Sequence, residues 1–187
     1  MIIAISGLTC TGKTTLARAL EQALPGTHVS FSKFIKLLAT NNGSSAPDRL
    51  LLQNLGEESV RQDPEKFTRN FLDFADFHKT SVLVIDGLRH LTVRHELERA
   101  ASKANRHFLL IYLETPSNIR LTRASLRGVA EQELESIDAH PSEEDVKSGL
   151  RNHADLVIDT SEPVEMEVAE VKRTIARQPK AHIENIA

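Results

Sequence analysis

The sequence predicts an α/β protein, a parallel sheet with helices on both faces. Three observations predict it. Residues 1–15, MIIAISGLTCTGKTT, run from an apolar strand through a glycine-framed loop into a helical pattern. Two later runs, VLVID at 82–86 and Phe108 to Leu113, have the length and unbroken apolarity of strands buried on both faces. Helical patterns follow each of them, and strands alternating with helices make a parallel sheet.

The elements follow in order. Met1 to Ile5 is the first strand, and Leu16, Ala17, Leu20 and Leu24 mark one side of the first helix. Pro25-Gly26 turns the chain into a short strand around Thr27 to Phe31, followed by a helical stretch from Ser32 to Ala39. The polar run from Asn41 to Ser45 is a loop. Pro47-Asp48 opens a helix through about Arg61. Asp63-Pro64 supplies an N-cap and a first-position proline for the next one, ending near His78. Its Phe67, Phe71, Phe74 and Ala75 share a face, which reads as core. Val93, Leu97, Ala100, Ala101 and Ala104 mark a helix after the 82–86 strand. Thr115-Pro116 starts another through about Arg127 in the same cap-then-proline style. Gly128 to Val146 is rich in acids and poor in apolar periodicity. Leu156 to Ile158 is a last strand, Ser161 to Gln178 a final helix, and 179–187 a frayed tail. Residues 1–178 read as one domain.

The chemistry starts at Gly7 to Thr14, which fits G-x-x-x-x-G-K-[ST] between a strand and a helix. Backbone N–H groups and the helix's positive end there converge on phosphate oxygens. Gly7, Thr9, Cys10, Thr11, Gly12, Lys13, Thr14 and Thr15 are the candidate nucleotide contacts. Lys13 is placed to reach β- and γ-phosphates, and the Thr14 hydroxyl is a candidate Mg²⁺ ligand. A glycine-turned connection without a ligand is the plainer alternative. Asp86, closing its apolar strand, either holds Mg²⁺ or caps the next turn. Arg89 follows at the mouth of that strand, where open α/β sheets bind ligands; it binds phosphate or makes a surface ion pair. Arg120, Arg123 and Arg127 are spaced to share one helical face. Three like charges so close want an anion between them, a polyphosphate or nearby acids such as Glu114.

Composition narrows the function. Over 187 residues, apolar types make 40% and charged types 26%, the balance of a globular protein. A formal charge of -3 with no Lys/Arg block argues against general nucleic-acid binding. No stretch approaches the roughly 18 continuous apolar residues of a membrane helix, and no basic segment precedes an apolar core at the start. The lone Cys10 fits a reducing, cytoplasmic setting, as a loop-filling residue or a redox sensor. The eight His show no metal-ligand spacing.

GLTCTGKTT, VLVIDGLR, the NIRLTRASLRG helix and the closing HADLVIDTSEP together resemble the P-loop nucleotide-kinase family. Within it they are nearest to dephospho-coenzyme A kinase-like and deoxynucleoside monophosphate kinase-like proteins. The likeness covers most of residues 1–178. It implies the three-layer P-loop NTPase fold, five parallel strands in order 2-3-1-4-5, and transfer of the ATP γ-phosphate, with Mg²⁺, to a small-molecule acceptor. Residue by residue, it implies that Lys13 and Thr14 are the loop lysine and Mg²⁺-ligating hydroxyl, and Asp86 the strand-end acid. Arg123 and Arg127 would grip phosphate or stack on adenine, with Thr160 to Pro163 as the turn against the base. A lid would span about 128–146, and an acceptor segment about 30–78.

Two departures stand out. Cys10 replaces the middle glycine of the common G-x-x-G-x-G-K loop. The 128–146 region holds seven acids and no Lys or Arg, so cationic work falls to Arg120, Arg123, Arg127 and Arg151. Asp138 and His140 there form an acid–imidazole pair or a solvated loop. On the acceptor side, Ser30, Ser32, Lys33, Arg49, Gln53 and Arg61 are the polar candidates, with Arg49, Arg61 and Arg89 for an acceptor phosphate. No acid immediately follows the second strand to serve as base for a hydroxyl acceptor, which favours a nucleoside or deoxynucleoside monophosphate over dephospho-coenzyme A. An ATPase driven by a protein or RNA partner, and a nucleotide-binding module without turnover, are the competing readings. No N-K-x-D sequence for a guanine-type GTPase switch occurs.

Overall fold

The computed structural model describes residues 1–177. Five strands, β1 (Ile2–Ser6), β2 (Gly26–Ser30), β3 (Val82–Asp86), β4 (Phe108–Glu114) and β5 (Leu156–Asp159), form one parallel sheet in the order β2-β3-β1-β4-β5. This is the expected 2-3-1-4-5 arrangement. The helices are α1 (Lys13–Ala23), α2 (Phe31–Asn41), α3 (Arg49–Gln62), α4 (Pro64–Phe74), α5 (Leu91–Lys103), α6 (Ser117–Ser125), α7 (Glu131–Asp138), α8 (Glu144–Lys147), α9 (Gly149–Asn152) and α10 (Val164–Arg177). The tail reading at 179–187, and Gln178, lie outside the described residues.

Strand alternation divides the core in two. Ile2, Ala4, Leu83, Ile85 and Leu110 face one side, where Phe31, Phe34, Phe67, Phe71 and Leu97 close over them. Ile3, Ile5, Val84, Leu109 and Ile111 face the other, covered by Leu16, Ala17 and Leu20 of α1 and Val171 of α10. Because both faces are covered, all five residues of β1 are buried, as its unbroken apolarity requires. Among the described residues no helix is long and apolar enough to cross a membrane.

Local chemistry sets the helix starts. The carboxyl of Asp63 accepts the Lys66 N–H at 2.8 Å and Pro64 takes the first turn, as the pattern predicted. Asp48 caps α3 through the Leu51 N–H at 2.8 Å. Thr115 does not cap α6. Its hydroxyl pairs with that of Thr160 at 2.6 Å, joining the ends of β4 and β5, so tertiary contact overrides the local motif. The helix starting at Asp63 stops at Phe74 and passes into a short 3-10 turn, Phe77–Lys79.

The 128–146 region departs most from its reading. It holds α7, a 3-10 turn at Pro141–Glu143 and α8, and it is anchored by apolar side chains. Leu134 packs with Cys10 and Ala124, while Val146 and Leu150 are fully buried in the main core. Asp145 accepts the Leu91 N–H at 2.9 Å and so caps α5. The apolar periodicity was hidden because it is spread over helices of eight, four and four residues broken by Pro141.

Candidate active site

The β1–α1 loop wraps around open space at the carboxyl ends of the strands. Gly7 has φ 136°, and a Cβ there would lie 2.6 Å from the Leu113 carbonyl oxygen, so backbone geometry and space both demand glycine. Cys10 adopts φ 67° without being glycine, a conformation that costs about 1 kcal/mol or more. Its side chain is buried against Ala124 and Leu134, which holds the strained turn in place. Gly12, at φ 96°, is the N-cap of α1 and offers no side-chain cap. The first N–H groups of α1 therefore lack the partner a Ser or Asp cap would give, as an anion site needs.

Lys13 extends back along the loop, and its Nζ donates to the carbonyls of Gly7 and Leu8, each at 2.6 Å. Burial, and then the like charge of Arg89, lowers its pKa to about 7. A phosphate anion beside it would favour the charged form. Thr14 Oγ1 donates to Asp86 Oδ2 at 2.6 Å, although the residues are 72 positions apart. Burial alone would raise the Asp86 carboxyl. The His28 imidazole, the Thr14 hydroxyl and the Lys13 charge outweigh burial and hold it below the usual range. A deprotonated carboxylate beside a hydroxyl, facing a phosphate loop, suits Mg²⁺, which keeps several waters and takes few protein oxygens.

A cavity of about 490 Å³ opens from Lys13, Thr14 and Asp86 toward α2 and α3. Arg49, Arg89 and Arg127 line it. Arg49 Nη2 donates to Thr9 Oγ1 at 2.9 Å, so the acceptor-side helix reaches back to the phosphate loop. Arg89 is paired with Glu143, a fully buried carboxylate on the 3-10 turn, and burial, helped by Arg49, lowers its pKa to about 10. A second cavity, about 420 Å³, lies on the other side of the loop between Gly12, Thr15, Arg123, Leu126, Val164 and Glu167.

The three arginines of the α6 region do not gather round one point. Arg120 pairs with Asp138, the acid alternative the sequence allowed. Arg123 donates to the Thr160 hydroxyl at 2.9 Å and to its carbonyl at 2.7 Å. Arg127 lines both cavities. Thr160 is buried beneath Arg123, whereas Pro163 is exposed and outside the residues lining either cavity. Arg61 is fully exposed and ion-paired with Glu58 on its own helix, away from the cavity. Ser30 is occupied capping α2, while Ser32 and Gln53 line the cavity and Lys33 does not. Asp138 and His140 do not pair, since His140 sits between Ser142 and Asn54.

Four side chains escaped sequence reasoning. His28 places Nε2 3.8 Å from Asp86 Oδ2, and Glu57 and His90 line the cavity. Glu143 holds Arg89. His28 has a usable signal, an imidazole one position from the apolar Val29 on a strand paired with β3. The others meet their partners only through tertiary packing.

A family model described as an AAA domain matches residues 3–148. No curated protein matches the chain. Among solved structures, an unliganded sugar kinase from a Janibacter species aligns over 98% of each chain at 15% identity and a TM-score of 0.61. The shikimate kinase of Aquifex aeolicus aligns over 97% of this chain and 100% of its own, at 17% identity and a TM-score of 0.60. The shikimate kinase of Acinetobacter baumannii, solved with shikimate, aligns over 96% and 94%, at 16% identity and a TM-score of 0.64. At these identities the likeness shows a shared fold, that of P-loop small-molecule kinases.

Proposed function

This chain belongs to the AAA domain family, and from that membership and its site we propose that it is a phosphotransferase carrying the ATP γ-phosphate to a small acceptor. One observation carries the reading: two cavities meet at a single phosphate loop. Gly12 and Thr15 face the smaller, Lys13 and Thr14 face the larger, and Arg127 borders both. In this reading the nucleoside of ATP takes the smaller cavity, with Arg123 and Arg127 beside it, and the acceptor takes the larger.

In the transfer, an acceptor oxygen bonds to the γ-phosphorus as the bond to the β–γ bridging oxygen breaks. The electron pair stays on that oxygen and ADP leaves. Lys13 and the loop amides hold the β- and γ-oxygens, and Arg49 and Arg89 neutralise charge on the acceptor side. Thr14 and Asp86 would hold Mg²⁺, which supplies charge stabilisation to the phosphate oxygens when bound. The acceptor we favour is a nucleoside or deoxynucleoside monophosphate, whose phosphate dianion attacks without losing a proton. Cationic Arg49 and Arg89, and Ser30 and Ser32 where a β2-end base would stand, support it. A hydroxyl acceptor, dephospho-coenzyme A or another small alcohol, is the second reading. The Glu57 carboxylate in the cavity favours it, since it offers a general base. A cytoplasmic setting fits this reading, since ATP is the substrate and Cys10 is a free cysteine.

The test is ADP release from MgATP across nucleoside and deoxynucleoside monophosphates, nucleosides, dephospho-coenzyme A and shikimate, with Lys13→Ala as the blank. Release stimulated by one acceptor and lowered by about 10³-fold or more in Lys13→Ala is the expected result. Wild-type turnover in that variant overturns the reading. Release flat across acceptors but lost in the variant makes the protein a partner-driven ATPase.

A further inference from the structure

The larger cavity has polar equipment that transfer to a phosphate acceptor leaves unused. Gln53 and Glu57 lie one turn apart on α3 and both line it. Gln53 Nε2 and Glu57 Oε2 are buried with no hydrogen-bond partner among the described residues, while the Glu57 side chain as a whole is 34% exposed, so rotation about the soft terminal torsions brings both groups to the cavity. His90 Nε2, at 3.8 Å from Glu57 Oε2, is too far to supply one. Buried polar atoms are nearly always paired, so two orphans on one helix face, one donor and one acceptor, call for a ligand. Phe31, Ile35, Val60, Phe67 and Val93 give the cavity an apolar side, while Ser32, Lys36 and His90 also line it. An apolar slot with a polar edge at one side and arginines at its mouth fits a flat heterocycle carrying a phosphate.

The order of donors and acceptors selects among heterocycles. A side-chain amide N–H wants a carbonyl, and the carboxylate beside it wants two adjacent N–H donors. Adenine offers an amine beside a bare ring nitrogen, which repels a carboxylate oxygen. Cytosine offers one amine followed by two acceptors. Thymine and uracil flank a single N–H with carbonyls. Guanine alone presents a carbonyl, a ring N–H and an amine in sequence. We infer that the larger cavity holds a guanine mononucleotide, with Gln53 donating to its O6 and Glu57 accepting from N1 and the 2-amine. Its 5′-phosphate then lies toward Arg49 and Arg89. This rests on the phosphotransferase reading for the role of the bound nucleotide, though binding itself does not require turnover.

The experiment is calorimetric titration of the full chain, with a non-hydrolysable ATP analogue and Mg²⁺ saturating the loop. The probes are GMP, dGMP, IMP, AMP, CMP and TMP. GMP or dGMP binds most tightly, and IMP, which lacks only the 2-amine, binds about 10-fold more weakly or worse. Glu57→Gln replaces one acceptor oxygen by a donor and collapses the GMP-to-IMP ratio toward one, while its melting temperature shows the fold intact. Gln53→Leu weakens GMP and IMP together by about 5- to 10-fold, because both carry O6. Equal affinity for all bases, a GMP preference that survives Glu57→Gln, or no mononucleotide binding overturns the inference. Those outcomes leave the phosphotransferase reading standing if MgATP binds and Lys13-dependent ADP release persists. Loss of that release fails the reading itself, whichever base binds.

Discussion

At the proposed nucleotide end, nine neighbouring residues, 7–15, together with the distant Asp86 supply nearly every group assigned to phosphate or metal. At the proposed acceptor end, the cavity draws on α2, α3, α4, α5, the loop after β3, Arg127 and Ser142. The first end works largely through backbone amides and glycine geometry, so its chemistry is fixed by local conformation. The second works through side chains delivered from separate elements, and depends on how those elements pack. One short motif can carry the first. Only the finished core can carry the second. Substitutions should therefore act differently at the two ends, and at the acceptor end stability and specificity should move together.

The Arg89–Glu143 pair is where that coupling is strongest. Glu143 is fully buried and Arg89 largely so, and the pair ties the acid-rich segment to the mouth of β3. Removing one charge strands the other. Glu143→Gln should cost about 3 kcal/mol, the low end of the range for broken buried pairs because Arg89 still reaches cavity water. Melting would then fall by about 2–4 °C per kcal/mol. Urea or thermal denaturation measures this directly. An unchanged midpoint would mean that Glu143 is not holding Arg89 in solution.

The same contrast explains what the sequence disclosed. Strand and helix alternation was legible because β1, β3 and β4 are long, unbroken apolar runs, and the strand order came with the family resemblance of the loop. The loop groups were readable because their spacing is itself the geometry. Arg89 and Glu143 stand 54 positions apart, and no local period links them. Val146 closes the acid-rich stretch and Leu150 follows it with no visible apolar period, yet both fill the main core. The helical face shared by Arg120 and Arg123 was readable, although Arg127 falls in the turn after α6; the partners waiting on either side, Asp138 and Thr160, were not. Helical spacing says which side chains are neighbours, not what the rest of the chain brings to meet them.

A middle-sized effect tests whether the two ends communicate. Arg49 belongs to the acceptor-side helix but hydrogen-bonds Thr9 of the phosphate loop. Arg49→Ala should raise the acceptor KM by about tenfold, the loss of one charge-assisted hydrogen bond to an anion. The MgATP KM should change by less than about threefold, because the Thr9 hydroxyl can turn to water. Steady-state kinetics with both substrates varied separates the two. Equal rises in both constants would make Arg49 part of the nucleotide end and erase the boundary drawn between them.

The smallest expected effect tests the boundary on its outer side. Arg61 and Arg49 lie on the same helix, and by residue type either is suited to an acceptor phosphate. The structure separates them. Arg49 starts the helix at the cavity, whereas Arg61 ends it in solvent, bound to Glu58 one turn back. An exposed pair of this kind contributes little to stability, and salt screens it further. Arg61→Ala should therefore leave the acceptor KM within about twofold and the denaturation midpoint essentially unchanged. The comparison with Arg49→Ala is sharp because the two variants remove the same group from one helix. If Arg61→Ala instead raises the acceptor KM as far as Arg49→Ala does, α3 must turn its far end into the site when the acceptor arrives. The acceptor end would then be assembled by the ligand as well as by the core.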